Sequence, residues 1–146
     1  MIKLSTKGRY GTRAVLELAV RYGSGPVQVR EIAESQAISE RYLENILNAL
    51  RKNGIVASTR GAAGGYQLTR HPSRITLGEV IRSLEGPIDI VDCTGNNPCA
   101  RVSRCASFLV WKRLKQVIEQ ELDSITIEDM VKTDRSLALP CQDYTI

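Results

Sequence analysis

Three evenly spaced cysteines are the residues with the most evident chemistry in this chain. Cys93, Cys99 and Cys105 are separated by five residues each, in a segment rich in glycine, asparagine and proline. Thiolates are the usual ligands of iron–sulfur clusters, and a loop that turns freely can direct backbone amides at the sulfides. The spacing matches neither the paired cysteines of zinc ribbons nor the cysteine runs of ferredoxins. A metal centre and reactive or structural thiols are therefore both open.

A four-ligand site would need a further donor. The single histidine, His71, lies far upstream, and Cys141 lies near the C-terminus. For Cys141 we favour a free thiol, because an odd cysteine outside a cluster is most simply unligated. A carboxylate or solvent could complete the site, and a zinc-bound form is a further alternative.

The charge of the chain is divided unevenly. Residues 1–75 carry 12 Lys and Arg against 5 Asp and Glu, whereas residues 76–146 carry 8 against 11. A basic half joined to an acidic half indicates a module that binds a polyanion and a separate second module, although an unevenly charged solvated surface would look similar.

The basic half has the element order of a winged helix-turn-helix. Apolar residues at helical spacing predict helices over residues 9–22, 28–36 and 40–53. Two short strand patterns, residues 55–58 and 66–69, flank a glycine-rich tip and predict a β-hairpin. In such a fold the third helix presents its N-terminal residues to the major groove of DNA.

The start of the third helix carries candidate base-reading residues. Ser39 is a natural N-cap that can also bond a phosphate or a base. Arg41 can contact a guanine edge or a phosphate, and Glu44 can accept from cytosine N4. Tyr42 is as readily a packing residue as a contact.

The hairpin tip and the remaining basic residues supply the other DNA candidates. Arg60 and Gly61 lie at the tip, where glycine allows close backbone approach and arginine can enter a narrow minor groove. Lys7, Arg51 and Lys52 are candidate phosphate contacts, which set register and not sequence.

The second half is predicted to hold the cysteine loop and a long helix. A capping box at Thr76–Glu79 opens a helix to about Leu84, and a long amphipathic helix covers residues 106–123. We therefore predict a mainly α fold with four segments: a winged helix-turn-helix over residues 1–86, the cysteine loop over 87–105, the long helix and a short C-terminal helix over 106–132, and a mobile tail over 133–146.

Several function classes are disfavoured. The chain has no apolar run long enough to span a membrane and no secretory signal at its N-terminus, so we expect a cytoplasmic protein. No acid–base pair or nucleophile–histidine arrangement is visible, and Gly61–Gly65 lacks the Lys-Ser/Thr of a phosphate-binding loop. We therefore expect that the chain is not an enzyme.

Longer motifs carry a family resemblance. These are Ser39-x2-Tyr42-Leu43-Glu44, Leu50-Arg51-Lys52-Asn53-Gly54-Ile55-Val56, Arg60-Gly61-x2-Gly64-Gly65-Tyr66-x-Leu68 and the cysteine loop. With them, nearly the whole chain, from Leu4 to about Ile127, resembles the IscR/NsrR/RirA-type family of bacterial iron–sulfur-dependent winged-helix transcription regulators.

The resemblance implies a homodimer that reads a palindromic operator in double-stranded DNA. It implies that Cys93, Cys99 and Cys105 hold an iron–sulfur cluster, either 2Fe–2S or 4Fe–4S. Residues 87–105 would then be the cluster-binding loop, and residues 106–132 the dimerisation helix and short C-terminal helix, with the long helix crossing its twin. The fourth ligand does not carry over. One subgroup has a histidine where this chain has Phe108, and another uses an N-terminal carboxylate where this chain has Arg9.

The resulting expectation is a dimeric DNA-binding transcription regulator, a repressor in the simplest case, that senses iron, redox or nitric oxide status through its cluster. Two alternatives stay open. One is a cluster-independent DNA-binding regulator that uses reactive thiols or a partner protein. The other is a small redox or electron-carrier protein.

Overall fold

The computed structural model describes residues 3–138 and contains six α-helices and one β-hairpin within that range. The elements, in chain order, are α1 (Thr6–Val20), α2 (Val29–Gln36), α3 (Glu40–Lys52), β1 (Val56–Thr59), β2 (Gly65–Leu68), α4 (Leu77–Glu85), α5 (Ala106–Ser124) and α6 (Ile127–Ala138). Short 3₁₀ turns lie at Pro72–Arg74, Asp92–Thr94 and Val102–Arg104. The predicted fold class, mainly α with a small β-hairpin, is confirmed.

Capping residues determine where α3 and α4 begin and where α3 ends. Ser39 Oγ accepts a hydrogen bond from the Tyr42 amide at 3.3 Å and caps α3. At α4, Thr76 Oγ1 accepts from the Glu79 amide and a Glu79 carboxylate oxygen accepts from the Thr76 amide, which forms the predicted capping box. Gly54 follows α3 with φ +73°, a conformation that glycine adopts without strain.

The first helix differs from its predicted bounds at both ends. It begins three residues early, at Thr6, because Ser5 Oγ accepts from the Gly8 amide. It ends at Val20, and the expected stripe member Tyr22 is 46% exposed in the following turn. Apolar periodicity located the helix, whereas the cap residue determined its start.

One hydrophobic core joins α1, α3, α4 and α6. It includes fully buried Ala14, Val15, Leu43, Ile46, Leu47, Leu50, Val80 and Ile127. A Cβ on Gly11 would lie 2.1 Å from Leu84 Cδ1, so glycine allows α1 to pack directly on α4. The predicted apolar stripe of α3 faces this core, which fixes the helix and leaves its polar face free.

The hairpin is antiparallel, with Val56 opposite Leu68 and Thr59 opposite Gly65. It is tied to the rest of the chain by paired backbone hydrogen bonds of 2.8 Å between Val27 and Tyr66. Gly65 has φ +144°, and a Cβ there would lie 2.2 Å from the Val27 carbonyl oxygen. This close approach explains one of the glycines of the tip.

The C-terminal part departs from the prediction for the tail. Residues 133–138, expected to be mobile, continue α6 as regular helix up to Ala138. The helix opens with Thr126 and Asp129 as a second capping box, and Ile127 and Val131 bury against the core. The apolar pattern stops after Val131, so periodicity gave no sign of the last turns. The rest of the predicted tail, with Cys141, lies outside the described residues.

The long helix α5 spans about 28 Å and has no buried residue. None of the helices over residues 3–138 combines the length and the apolar character that crossing a bilayer demands.

Candidate functional site

The N-terminal turn of α3 presents polar side chains to solvent. Ser39, Arg41 and Glu44 are exposed, while Leu43 and Ile46 on the opposite side of the helix are buried. The Ser39 hydroxyl already accepts the capping hydrogen bond, but its proton and its second lone pair are free for another partner. The arrangement can present a guanidinium and a carboxylate to the edges of base pairs.

Tyr42 has a packing partner that the sequence did not suggest. It is half-buried, and its ring meets the ring of Tyr10 edge-on, with centroids 6.0 Å apart. The guanidinium of Arg13 lies 5.5 Å from the Tyr10 ring centroid and also bonds Gln36 at the end of α2. These contacts join α1, α2 and α3, and they favour a packing role for Tyr42.

The predicted phosphate contacts lie apart from the base-reading turn. Arg51 and Lys52 are exposed in the last turn of α3, about 20 Å along the helix axis from Ser39. Lys7 is half-buried in the first turn of α1. These positions can act together only on a ligand at least as long as α3, which suits a duplex better than a small anion.

The hairpin tip is exposed and well supported. Arg60 and Gly61 follow β1 directly, and Gly61 has φ +103°. Gln28, at the start of α2, donates its side-chain amide to the Ala62 carbonyl at 3.1 Å. A Cβ on Gly64 would lie 2.1 Å from the Thr59 carbonyl oxygen. The tip therefore holds a compact shape that carries the Arg60 side chain outward.

The three cysteines occupy one loop but different environments. Cys93 lies in the Asp92–Thr94 turn and is half-buried, Cys99 is exposed, and Cys105 is half-buried at the N-cap of α5. The Cys99 sulfur accepts a hydrogen bond from the Arg101 amide at 3.4 Å.

The sulfurs do not converge in this structure. Over residues 3–138, no group of three or more histidine, cysteine or acidic side chains is close enough to hold a metal ion. The donor set suits a thiolate-ligated metal chemically, but the loop would have to close to bring the three sulfurs together. The ligand role of the three cysteines stays a prediction.

Sequence reasoning missed an ion pair that ties this loop to α5. Lys115 Nζ lies 2.6 Å from Asp89 Oδ1 and donates to the Thr94 carbonyl at 3.1 Å. The two partners are 26 positions apart, so no local pattern could have signalled the contact.

The far end of α5 is fastened to the winged part. Arg82 on α4 pairs with Asp123, and this hydrogen bond raises the pKa of the Arg82 guanidinium further above its usual value. The Leu77 amide donates to the Ile125 carbonyl at 2.8 Å, and the Ile127 amide donates to the Ile75 carbonyl at 2.9 Å. The long helix is thus held near its middle, by the ion pair of Lys115 with the cysteine loop, and at its C-terminal end, by α4.

Comparison with known proteins identifies relatives over nearly the whole chain. The HTH-type transcriptional regulator IscR of Xenorhabdus nematophila is 40% identical over 136 residues, which cover 93% of this chain and 83% of the relative. The solved structure of T. potens IscR is 41% identical with a TM-score of 0.79, covering 96% of this chain and 93% of that one. CymR, described as the global cysteine regulator of B. subtilis, is 41% identical with a TM-score of 0.76, covering 91% and 98%.

These relatives are named as transcriptional regulators, which confirms the predicted family resemblance and the prediction that the chain is not an enzyme. Residues 4–133 match the Rrf2 family, described as an iron-dependent transcriptional regulator. A winged fold, a basic N-terminal half and this match agree on regulation of transcription through DNA. The chain belongs to the Rrf2 family of transcriptional regulators.

Proposed function

We propose that this regulator is a homodimer that binds a palindromic operator and senses iron, redox or nitric oxide status through an iron–sulfur cluster held by Cys93, Cys99 and Cys105. The observation that carries the proposal is the exposed loop that brings three cysteines to the start of the longest helix. We assign residues 1–86 to DNA binding, 87–105 to the cluster and 106–132 to dimerisation, in a cytoplasmic protein.

The position of Cys105 supports a role in ligation. It is the N-cap residue of α5, where serine, threonine, aspartate or asparagine is normally preferred. Its side chain makes no capping hydrogen bond. A cysteine that does not stabilise its own helix end is better explained by sulfur chemistry than by local structure.

The exposed apolar residues of α5 support the dimer. Leu109, Val110, Leu114 and Val117 are 65%, 53%, 42% and 53% exposed, respectively. An apolar helix face of this extent is unfavourable in water unless another surface covers it. The same face on a second copy is the simplest cover, because a two-fold axis pairs a surface with itself.

Two recognition helices in such a dimer would read two half-sites. Arg41 and Glu44 at the start of α3 would contact bases, with Ser39 and Tyr42 supporting that turn. Arg60 and Gly61 would approach the minor groove, and Lys7, Arg51 and Lys52 would contact phosphates. The exposure of Arg41, Glu44, Arg60 and Lys52 is compatible with these roles.

The contacts of α5 offer a physical route between the two functions. Lys115 binds the loop that carries Cys93, and Asp123 and Ile125 bind α4, which packs on α1. When bound, a cluster supplies redox and ligand-exchange chemistry at iron. A change of loop shape would then move α5 relative to α4 and change the spacing of the two recognition helices. Such a signal acts only through unequal free energies of the two arrangements.

The test is anaerobic purification with iron and sulfide counts, followed by affinity measurements on a duplex selected from a random library. We expect Cys99→Ala to lose iron and to bind DNA as iron-free wild type does, since Cys99 lies on the loop and not among the DNA candidates. The control is Ser103→Ala, an exposed change in the same loop that should retain iron. Iron-free wild type from oxygen-excluded cells, or equal DNA affinity with and without the cluster, would contradict the proposal.

Thiol sensing without a cluster is a second candidate. One observation favours it: CymR and T. potens IscR have the same sequence identity to this chain, 41%. It predicts iron-free protein whose DNA affinity changes on alkylation of the cysteines. Iron counts and alkylation therefore separate the two candidates.

A further inference from the structure

One ammonium group holds both ends of the turn that contains Cys93. Lys115 Nζ contacts Asp89 Oδ1, four residues before the cysteine, and the Thr94 carbonyl, one residue after it. The side chains of Lys115 and Asp89 are only 21% and 31% exposed, so solvent screens this contact less than it screens most surface ion pairs. We call these three residues the clasp.

The turn itself is well bonded within the clasp. The Thr94 amide and hydroxyl both donate to the Val91 carbonyl, at 3.0 and 2.8 Å. A Cβ on Gly95 would lie 2.9 Å from Asp89 Oδ2, so the absence of a side chain at Gly95 lets the carboxylate lie against the turn. The segment 89–95 is therefore a compact unit fastened to α5 at Lys115.

Within residues 3–138, no ion pair fastens the segments that carry the other two cysteines to α5. Cys99 lies in residues 96–101, all of which are exposed. Cys105 is fixed by its position at the start of α5, ten residues and about 15 Å along the helix before Lys115. The clasp therefore holds the Cys93 turn beside the middle of α5, whereas Cys105 lies at the N-terminus of that helix.

We propose that Asp89 and Lys115 are positioning residues that hold the Cys93 turn on α5 and so control when the Cys93 thiol becomes available, whereas Cys99 is available throughout. If the cysteines hold a cluster, as the proposed function states, this difference in availability sets the order in which they bind iron. Cys99 would bind an incoming iron species first. Cys93 would bind it only after the contacts of Lys115 with Asp89 and the Thr94 carbonyl break or shift along α5.

The test measures alkylation of each cysteine in the iron-free full-length protein by N-ethylmaleimide, with peptide mass spectrometry to separate the sites. The thiolate adds across the maleimide double bond, and the adjacent carbon takes up a proton. In wild type, Cys99 should react faster than Cys93. In Lys115→Met, which keeps side-chain length and removes the charge, the Cys93 rate should rise about fivefold, as expected for the loss of one charge-assisted contact. The Cys99 rate should not change.

Matched variants test whether the ion pair itself is responsible. Asp89→Asn should accelerate Cys93 like Lys115→Met, and Lys115→Arg should restore a slow rate because it keeps a positive donor. Lys112→Met is the control, since Lys112 lies one turn earlier on α5 and forms no ion pair within residues 3–138. It should leave the Cys93 rate unchanged.

Varying the salt concentration tests the same ion pair without a substitution. Raising the salt concentration from 0.1 to 1 M shortens the screening length from about 10 to about 3 Å. The Cys93 rate should rise with salt in wild type and should be insensitive to salt in Lys115→Met.

The proposal is overturned if the Cys93 rate does not respond to Lys115→Met or to salt, or if all three cysteines accelerate together, which would indicate general loosening of the loop. Iron and sulfide counts are read separately. Iron-free wild type would refute the cluster, while a Cys93 rate insensitive to the clasp would refute the positioning role, so the two failures are distinguishable.

Discussion

The winged part, residues 3–86, and the cysteine loop, residues 87–105, are organised in opposite ways. In the winged part, capped helices and close glycine contacts support a core of fully buried aliphatic side chains such as Leu43 and Leu47. The loop has no buried residue and is held by two 3₁₀ turns and the Lys115 ion pair. The first region is shaped by its own core, whereas the second has little apolar surface to bury.

The largest expected effect tests this contrast directly. Leu47→Ala removes a fully buried side chain from the winged part and should lower the free energy of unfolding by about 2–5 kcal/mol. Val102→Ala truncates a half-buried side chain of the loop and should cost less than about 1 kcal/mol. Urea unfolding of the iron-free protein measures both. Comparable losses would show that the loop is as firmly packed as the core.

A smaller effect is expected on DNA affinity, where residues of the winged part that read groove shape should differ from residues that contact phosphates. Arg60→Ala should weaken binding by about 1–3 kcal/mol, most strongly where A·T-rich steps narrow the minor groove. Lys52→Ala should weaken binding evenly across sequences and reduce the salt slope by about one unit. Titrations of both variants against duplexes of varied composition, at several salt concentrations, give the comparison.

Lys132→Ala is the control for these two variants, because Lys132 lies on α6 and pairs with Glu128. It should leave the affinity unchanged. Equal losses for Arg60→Ala and Lys52→Ala on every duplex would contradict the division between reading shape and contacting phosphates.

The smallest expected effect is the pH dependence of the free energy of unfolding that Glu79 contributes in the winged part. At Glu79 burial tends to raise the carboxyl pKa, but the hydrogen bond from the Thr76 amide and the interaction with Arg70 outweigh it, and the pKa is lowered. A lowered pKa in the folded state stabilises the protein above the unfolded value of about 4.5, and this contribution is lost as pH falls through the folded value.

Glu79→Gln keeps an acceptor for the capping box and removes the titration. It should cost under about 1 kcal/mol near neutral pH, because the side chains of Arg70 and Glu79 are 39% and 36% exposed and solvent screens their interaction. The difference from wild type should shrink as pH falls from neutral through 4.5 and below the lowered pKa of Glu79, as judged by urea unfolding across the pH range. Parallel pH profiles for the two proteins would show that Glu79 does not contribute.

The sequence itself determined the helices, their caps and the family. Ser39, Thr76 and Glu79 form the caps that their residue types predict, and Leu43, Ile46 and Leu50 share the buried face that their spacing predicts. These features depend on residues within a few positions of one another, so the amino-acid sequence is sufficient to predict them.

Only the tertiary structure decided how distant residues meet. It paired Tyr10 with Tyr42, Asp89 with Lys115 and Arg82 with Asp123. Contacts between residues far apart in the chain arise from the packing of whole helices, which no local pattern encodes. The cysteine spacing predicts which atoms can bind a metal, whereas the place of the Cys93 turn on α5 depends on a contact between residues 26 positions apart.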